Sequence, residues 1–220
     1  MYIHCPPKEL PKLVSKTHPD GKRYYTTPGG KILPSVTTVI GAKEKQGILE
    51  WRQRVGEEEA NRVSRFAAGR GTKMHNLVEK YLLNETIDWN NQMPDGVQMF
   101  RKIARDLKHI NNIHYMEETL WSEKIGLAGR VDCIAEWKGK LSIIDFKTSK
   151  RNKTKDEIQN YFAQCTAYSL MYEEIVGTPI DQIVVLMSVD EGVSQIFEEK
   201  TSDYVETLFD YIKYYRENVL

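Results

Sequence analysis

The first half of the chain carries apolar residues at the spacing of amphipathic helices. Ser35 is a suitable N-cap for a helix that starts just after it. Residues 46–83 place apolar side chains every three or four positions among charged ones, and residues 97–109 repeat that spacing. The two glycines of residues 69–72 predict an interruption, after which Thr72 caps the next helix.

The second half is dominated by short β-rich runs. Three of them follow one another with short turns between them, at residues 116–122, 128–136 and 141–147. A helix at 157–175 and an apolar strand at 182–189 come next, followed by a strand around Phe197. Asp203 and Glu206 form a capping box for a last helix. This order predicts an α/β fold in which a mixed central sheet, with an antiparallel meander, is flanked by helices.

The N-terminal residues have a pattern of their own. The prolines of residues 1–20 indicate an extended arm, and β-rich runs on both sides of the PGG sequence at 28–30 indicate a hairpin. We therefore expect an arm and hairpin over residues 1–33 and one domain over residues 34–220. Within that domain, residues 41–112 are expected to form a helical cap.

Composition limits the classes of function. The 220 residues fit one domain with a substantial core. Lysine plus arginine and aspartate plus glutamate each total 31, so a uniformly basic surface for nucleic acid is excluded and any basic patch is local.

No apolar run approaches the roughly 20 residues that span a bilayer, so no membrane partner is expected. The three cysteines are too few for a disulfide framework or a four-cysteine metal site. The N-terminus resembles neither a signal peptide nor a transit peptide, so we expect a cytoplasmic protein of a bacterium or a phage-infected cell.

One stretch of the β-rich half combines acids with a lysine. The KG sequence at 138–139 predicts a two-residue hairpin turn. In that register Asp132 and Asp145 face each other across the ladder on one side of the sheet. Lys147 is two residues beyond Asp145 and therefore lies on the same face. Two facing carboxylates repel each other unless a cation lies between them or one is protonated.

The preceding turn brings in a third acid. A three-residue loop at 124–126, with its glycine in the left-handed position, would place Glu118 opposite Asp132. Carboxylate oxygens arranged in this way suit Mg²⁺ or Mn²⁺ rather than zinc. The alternative is that Asp145 and Lys147 form an exposed ion pair on a solvated strand face.

These residues, together with three further motifs in order, resemble the RecB-like exonuclease branch of the PD-(D/E)XK nuclease superfamily. The core motif consists of GRVD at 129–132 and IDFKTS at 144–149. The other motifs are PSVT at 34–37, GRGTKMH at 69–75 and QCTAY at 164–168. The resemblance extends from about Pro34 to the C-terminus and implies a restriction-endonuclease-like core.

The resemblance also implies roles for individual residues. The catalytic set comprises Lys147, Asp132, Asp145, Glu118, His75, Gln164 and Tyr168. The set that would hold Mg²⁺ or Mn²⁺ comprises Asp132, Asp145, Glu118, His75 and the carbonyl group of Phe146. DNA contacts are expected from Ser35, Thr37, Arg70, Lys73, Lys150, Arg151, Lys153 and Lys155. The last four form a basic run that leaves the catalytic strand, for which a solvated loop is the alternative. For His75 and Tyr168 the alternative is a structural role.

We therefore expect a deoxyribonuclease that requires Mg²⁺ or Mn²⁺ and degrades DNA from free ends, with a preference for single strands. Two alternatives stay open. One is a double-strand exonuclease or an endonuclease of the same superfamily, and the other is a nuclease-like module that binds nucleic acid without cutting it. The expected partner is single-stranded DNA with a free end, and a replication or recombination protein is a further candidate.

Overall fold

The computed structural model describes residues 1–219, which form two sheets and five α-helices. The small sheet contains β1 (Val14–Thr17), β2 (Arg23–Thr26) and β3 (Ile32–Pro34). The large sheet contains β4 (Ile110–Ser122), β5 (Leu127–Trp137), β6 (Lys140–Ser149), β7 (Gln182–Val189) and β8 (Gln195–Lys200). The helices are α1 (Val36–Val55), α2 (Glu57–Leu82), α3 (Pro94–Ile103), α4 (Gln159–Val176) and α5 (Val205–Asn218).

The large sheet is mixed, as the sequence predicts. Its strands lie in chain order, β4 to β8, and every neighbouring pair is antiparallel except β6 and β7. Two parallel neighbours need a long crossover connection, and α4 provides it. The predicted α/β fold with an antiparallel meander, β4 to β6, is therefore confirmed.

Helices cover both faces of the sheet. Along β6, Ile143 belongs to the apolar core shared with α1, α4 and α5, whereas Ile144 belongs to the core shared with α2 and α3. This alternation follows from the two-residue period of a strand. Since α4 is the crossover under the sheet, apolar side chains such as Phe162 and Met171 are fully buried along it.

The predicted interruption at residues 69–72 is wrong. α2 runs through both glycines, and the Thr72 hydroxyl donates to the Ala68 carbonyl instead of capping a new helix. The two long helices separate at Gly56, where φ is 87°. A glycine inside a helix costs only about 1 kcal/mol, which the buried face around Met74 outweighs. The predicted cap at Ser35 is confirmed, because its Oγ accepts from the Thr38 amide at 3.0 Å.

Two further differences concern the ends of elements. The predicted 23–33 hairpin is confirmed, but β1 adds a third strand that its fully exposed residues did not signal. The predicted capping box at Asp203 and Glu206 is wrong, since α5 is preceded by the 3-10 turn Thr201–Tyr204 and has no side-chain cap.

The hairpin of α1 and α2 projects from the body of the protein. Residues 45–68 are exposed, except for the partly covered Trp51 and Arg52 and the buried Ala60. This projection lies within the predicted cap at 41–112, whose domain boundaries stay a prediction. No helix within residues 1–219 is long and apolar enough to cross a membrane.

Gly129 allows α4 and the start of α1 to approach β5 closely. A Cβ atom at this position would lie 3.0 Å from Cε1 of Tyr168 and 3.2 Å from Cγ2 of Val36. Both neighbours are buried and cannot move aside. We therefore expect Gly129→Ala to reduce the free energy of unfolding by about 1–3 kcal/mol in urea titrations.

Gly41→Ala is the matched control for that substitution. Gly41 lies inside α1, and no heavy atom would be within 4 Å of its Cβ. Alanine there should raise stability by about 0.5–1 kcal/mol, because it restricts the unfolded chain. Equal effects of the two substitutions would contradict the packing argument.

Candidate active site

The conspicuous polar cavity of the molecule has a volume of about 580 Å³ and lies where the two helical layers meet the sheet. The first turn of α1, the middle of α2, the strands β4 to β6 and the first half of α4 all contribute to its wall. All four sequence motifs converge here, through side chains such as Thr37, His75, Asp132 and Gln164. The cavity therefore contains most of the residues that the sequence nominated for chemistry.

The hairpin of β5 and β6 forms as predicted. Lys138 and Gly139 have φ values of 53° and 82°, which is the two-residue turn with left-handed backbone at both positions. The ladder runs from that turn to the pair Cys133 and Ile144 and ends there. One residue further, the Phe146 amide donates to Oδ2 of Asp132 at 2.9 Å. The Asp132 side chain thus takes the place of a backbone acceptor where the two strands separate.

The third acid at the site is Glu117, and the prediction of Glu118 is wrong. Ser122 pairs with Leu127, so the loop between β4 and β5 has four residues instead of three. A slip of one residue moves a side chain to the other face of a sheet. Glu118 instead accepts a hydrogen bond from the amide of its neighbour Thr119.

Glu117 also has an unusual backbone. Its φ is 48°, a left-handed value that is uncommon for a non-glycine residue within a strand. Its carboxylate, an imidazole nitrogen of His75 and the Asp132 carboxylate each offer one ligand atom, and these atoms lie within 4.8 Å of one another. Burial and the nearby Asp132 raise the pKa of Glu117, while Arg130 and His75 act in the opposite direction.

Asp145 and Lys147 form a buried ion pair next to this cluster. The Asp145 side chain is 1% exposed, and its Oδ2 contacts the Lys147 ammonium group. Burial raises the pKa of Asp145, and the Lys147 charge limits the rise. Burial lowers the pKa of Lys147, but the Asp145 and Asp132 carboxylates outweigh it and raise that pKa overall. Lys147 lies on the same face as Asp145, as predicted, and it remains charged.

Helix α4 supports this pair from below. Gln164 donates from Nε2 to Oδ1 of Asp145 at 3.2 Å. Tyr168 is one turn further along and 2% exposed, and burial raises the pKa of its hydroxyl well above the ordinary value. Tyr168 therefore fits both alternatives, a structural role and a place at the site, because it packs in the core and also lines the cavity.

The donor set fits Mg²⁺ or Mn²⁺. His75, Glu117 and Asp132 supply two carboxylates and one imidazole. Oδ2 of Asp145 is buried beside Lys147, and no donor among the described residues makes an aligned hydrogen bond to it. A buried carboxylate oxygen with spare acceptor capacity is suited to a hard cation. A ligand role for the Phe146 carbonyl stays a prediction.

Two of the residues predicted to contact DNA serve as structural anchors. Arg70 is 7% exposed, and its Nη1 lies 2.6 Å from Oδ2 of Asp190. Lys73 pairs with Asp95 at 2.8 Å. Ser35 is buried and caps α1, and both Ser35 and Thr37 line the cavity.

The basic run after β6 is also not a free positive patch. Each of its cations has an acidic neighbour: Lys150 pairs with Glu191, Arg151 and Lys153 share Glu157, and Lys155 pairs with Glu199. The sequence showed no acid within the run because two of these partners lie on or next to β8, more than 40 residues away. None of the four cations lines the cavity described above. Their contact with DNA stays a prediction.

Besides Glu117, two arginines of the cavity had no predicted role, Arg23 and Arg130. Both line the cavity and are exposed. The pairing of Arg130 with Glu117, at 2.8 Å between Nε and Oε2, depends on the register of β4 and β5. The sequence would have predicted this pairing only if the loop between β4 and β5 had been given four residues.

Comparison with known proteins agrees with this geometry. Residues 43–218 match the family model of the PD-(D/E)XK nuclease superfamily, which is most of the chain. The chain belongs to this superfamily. The resemblance recognised from the motifs is thereby confirmed, and so is the fold class.

The chain is also similar to curated proteins that are named exonucleases. The chain is 29% identical over 131 residues to mitochondrial genome maintenance exonuclease 1 of Homo sapiens and 28% identical over 130 residues to that of Mus musculus. The matches cover 56% and 55% of this chain and 38% of each relative, so the chain spans well under half of their length. Among solved structures, a candidate exonuclease from Eubacterium rectale aligns with a TM-score of 0.47 at 11% identity, over 67% of this chain and 65% of that one.

The two neighbouring glutamates allow a direct test of the nuclease site. We expect Glu117→Gln to weaken Mn²⁺ binding and nuclease activity at least tenfold, because it removes a carboxylate from the ligand cluster. Glu118→Gln should change either property less than threefold, since its carboxylate interacts with the Thr119 amide. Calorimetric Mn²⁺ titration and cleavage of end-labelled DNA would measure both variants. A larger effect of Glu118→Gln than of Glu117→Gln would instead support the predicted three-residue loop, which places Glu118 opposite Asp132.

Proposed function

We propose that this nuclease is a metal-dependent exonuclease that hydrolyses the phosphodiester bonds of DNA from free ends and prefers single strands. The observation that carries the proposal is that Lys147, paired with the buried Asp145, lines the same cavity as His75, Glu117 and Asp132. Acidic ligands, an adjacent ammonium group and an open volume are the parts that phosphodiester hydrolysis requires.

The metal would be held by Glu117, Asp132 and His75, with Asp145 as a further ligand. A bound Mg²⁺ or Mn²⁺ ion supplies a water of lowered pKa and neutralises charge on the phosphate oxygens. The Phe146 amide holds Asp132 in position through its hydrogen bond. Gln164 does the same for Asp145 from below. These supports keep the carboxylates oriented, which limits the reorganisation needed during the reaction.

Lys147 would stabilise the negative charge that develops on the phosphate. Its raised pKa keeps the ammonium group protonated at neutral pH. The group also lies 5.0 Å from the centre of the Tyr161 ring, which restricts its motion through a cation–π contact. A held donor of this kind strengthens its interaction as charge accumulates in the transition state.

Removal of the metal or of Lys147 should separate catalysis from binding. Hydrolysis should require Mg²⁺ or Mn²⁺ and stop in excess EDTA. Lys147→Ala should lose at least 99% of turnover, since one preorganised donor is typically worth about 10²–10³ in rate. Its affinity for DNA, measured by fluorescence anisotropy, should change less than about fivefold. Full activity in EDTA would exclude the metal mechanism, and a near-normal rate for Lys147→Ala would exclude a catalytic lysine.

The preference for single strands is supported by the enclosure of the cavity. Helices α1 and α2 rise on one side of it, and the sheet and α4 close the other. A flexible strand can enter such a cavity by an end, whereas a duplex, whose major groove alone is about 12 Å wide, needs an open cleft. The curated relatives are named exonucleases, which also favours attack at ends.

Circular DNA provides the test for end dependence. Linear single-stranded DNA should be degraded at least 20 times faster than the same strand closed into a circle. A blunt duplex of the same sequence should be slower than the linear single strand. Equal rates on circular and linear single strands would indicate an endonuclease, and fastest cleavage of the duplex would indicate a double-strand exonuclease.

A further inference from the structure

Arg130 lines the cavity with an exposed guanidinium group. It follows Gly129 on β5, two residues before Asp132, and its side chain is 58% exposed. Its Nε lies 2.8 Å from Oε2 of Glu117, one of the cluster residues. The exposed side chain thus lies at the wall of the cavity, next to the carboxylate of Glu117.

The guanidinium group retains free donors at this place. An arginine has five N–H donors in a planar fork, and a bidentate pair with one carboxylate uses two of them. Among residues 1–219, no other acidic side chain forms an ion pair with Arg130, and no side chain or carbonyl accepts an aligned hydrogen bond from it. Arg70, by contrast, is buried and bound to Asp190.

We propose that Arg130 binds a non-bridging phosphodiester oxygen of the DNA strand in the cavity, using the guanidinium nitrogens that Glu117 leaves free. This inference rests on the proposed function, because it assigns the residue that positions that substrate. Glu117 holds one side of the fork, so less side-chain entropy is lost when the other side meets a phosphate.

The chemistry explains why arginine is suited to this position. A planar fork can contact Glu117 and a phosphate at the same time, whereas a lysine ammonium is a point charge that must divide its contacts between them. Arg130 therefore neutralises part of the carboxylate charge that would otherwise repel a phosphate. Lys147 lines the same cavity from β6, the neighbouring strand, beside Asp145.

The test compares three variants in buffer with EDTA, where binding is measured without hydrolysis. Arg130→Gln removes the fork, and Arg130→Lys keeps the charge. Arg101→Gln is the control, because it removes the same charge from an exposed residue of α3 that does not line the cavity. Fluorescence anisotropy gives the Kd for a linear single-stranded oligonucleotide over a range of salt concentrations, and calorimetry gives the Kd for Mn²⁺.

We expect Arg130→Gln to weaken DNA binding about tenfold, as the loss of one charged hydrogen bond implies. The slope of log Kd against log salt concentration should fall by about 0.7, the value for one phosphate contact on a single strand. Arg130→Lys should be intermediate in DNA affinity. Arg101→Gln should remain within about twofold of the wild type, and all three variants should bind Mn²⁺ within about threefold of the wild type.

Three results would overturn the inference. Unchanged DNA affinity with weaker Mn²⁺ binding in Arg130→Gln would mean that Arg130 only orients Glu117. An equal loss in Arg101→Gln would mean that total charge alone matters. If the wild type binds no single-stranded DNA, the proposed function fails and this inference with it, whereas normal wild-type binding with unaffected Arg130 variants overturns the inference alone.

Discussion

The hydrogen bond from the Phe146 amide to the Asp132 carboxylate is the interaction on which the site depends. At this point β6 stops pairing with β5 and continues along β7. A strand that separates from its neighbour exposes backbone donors, and an unsatisfied buried donor costs about 1–3 kcal/mol. Asp132 satisfies this donor and holds the separation open, which creates room for His75, Glu117 and a substrate. The acid therefore has a structural and a chemical role at once.

A second consequence is the burial of charge beneath the cavity. Asp145 lies on a central strand between two apolar layers, where an ionised carboxylate is expensive unless it is paired. Lys147 and Gln164 provide that pairing from the same strand and from α4. A site built on a central strand and a buried helix is rigid, and rigid supports are what oriented electrostatic groups require. The sheet and α4 thus supply precision to the site.

Outside the cavity, several basic side chains form ion pairs with acids that the order of residues in the sequence does not indicate. The cations that follow β6, together with Arg70 and Lys73, are paired with acids, and only Glu157, which Arg151 and Lys153 share, is close to its partners in sequence. Part of the charge of the chain is therefore engaged in local pairs. At the cavity itself, Arg23 forms no ion pair with an acid among residues 1–219, and Arg130 is paired only in part.

The sequence by itself determined the class of fold, the order of its elements, the Ser35 cap, the turn at residues 138–139 and four of the site acids and bases, namely His75, Asp132, Asp145 and Lys147. These features depend on local signals, namely strand and helix periodicity, a glycine in a tight turn and a capping hydroxyl. Only the tertiary structure decided between Glu117 and Glu118. Loops of three and four residues are both acceptable locally, and the choice is made by burial of side chains such as Leu120 and Leu127 across the sheet. The continuity of α2 and the pairing of the basic residues were decided in the same way, because packing and long-range charge contacts have no signature within a short window of sequence.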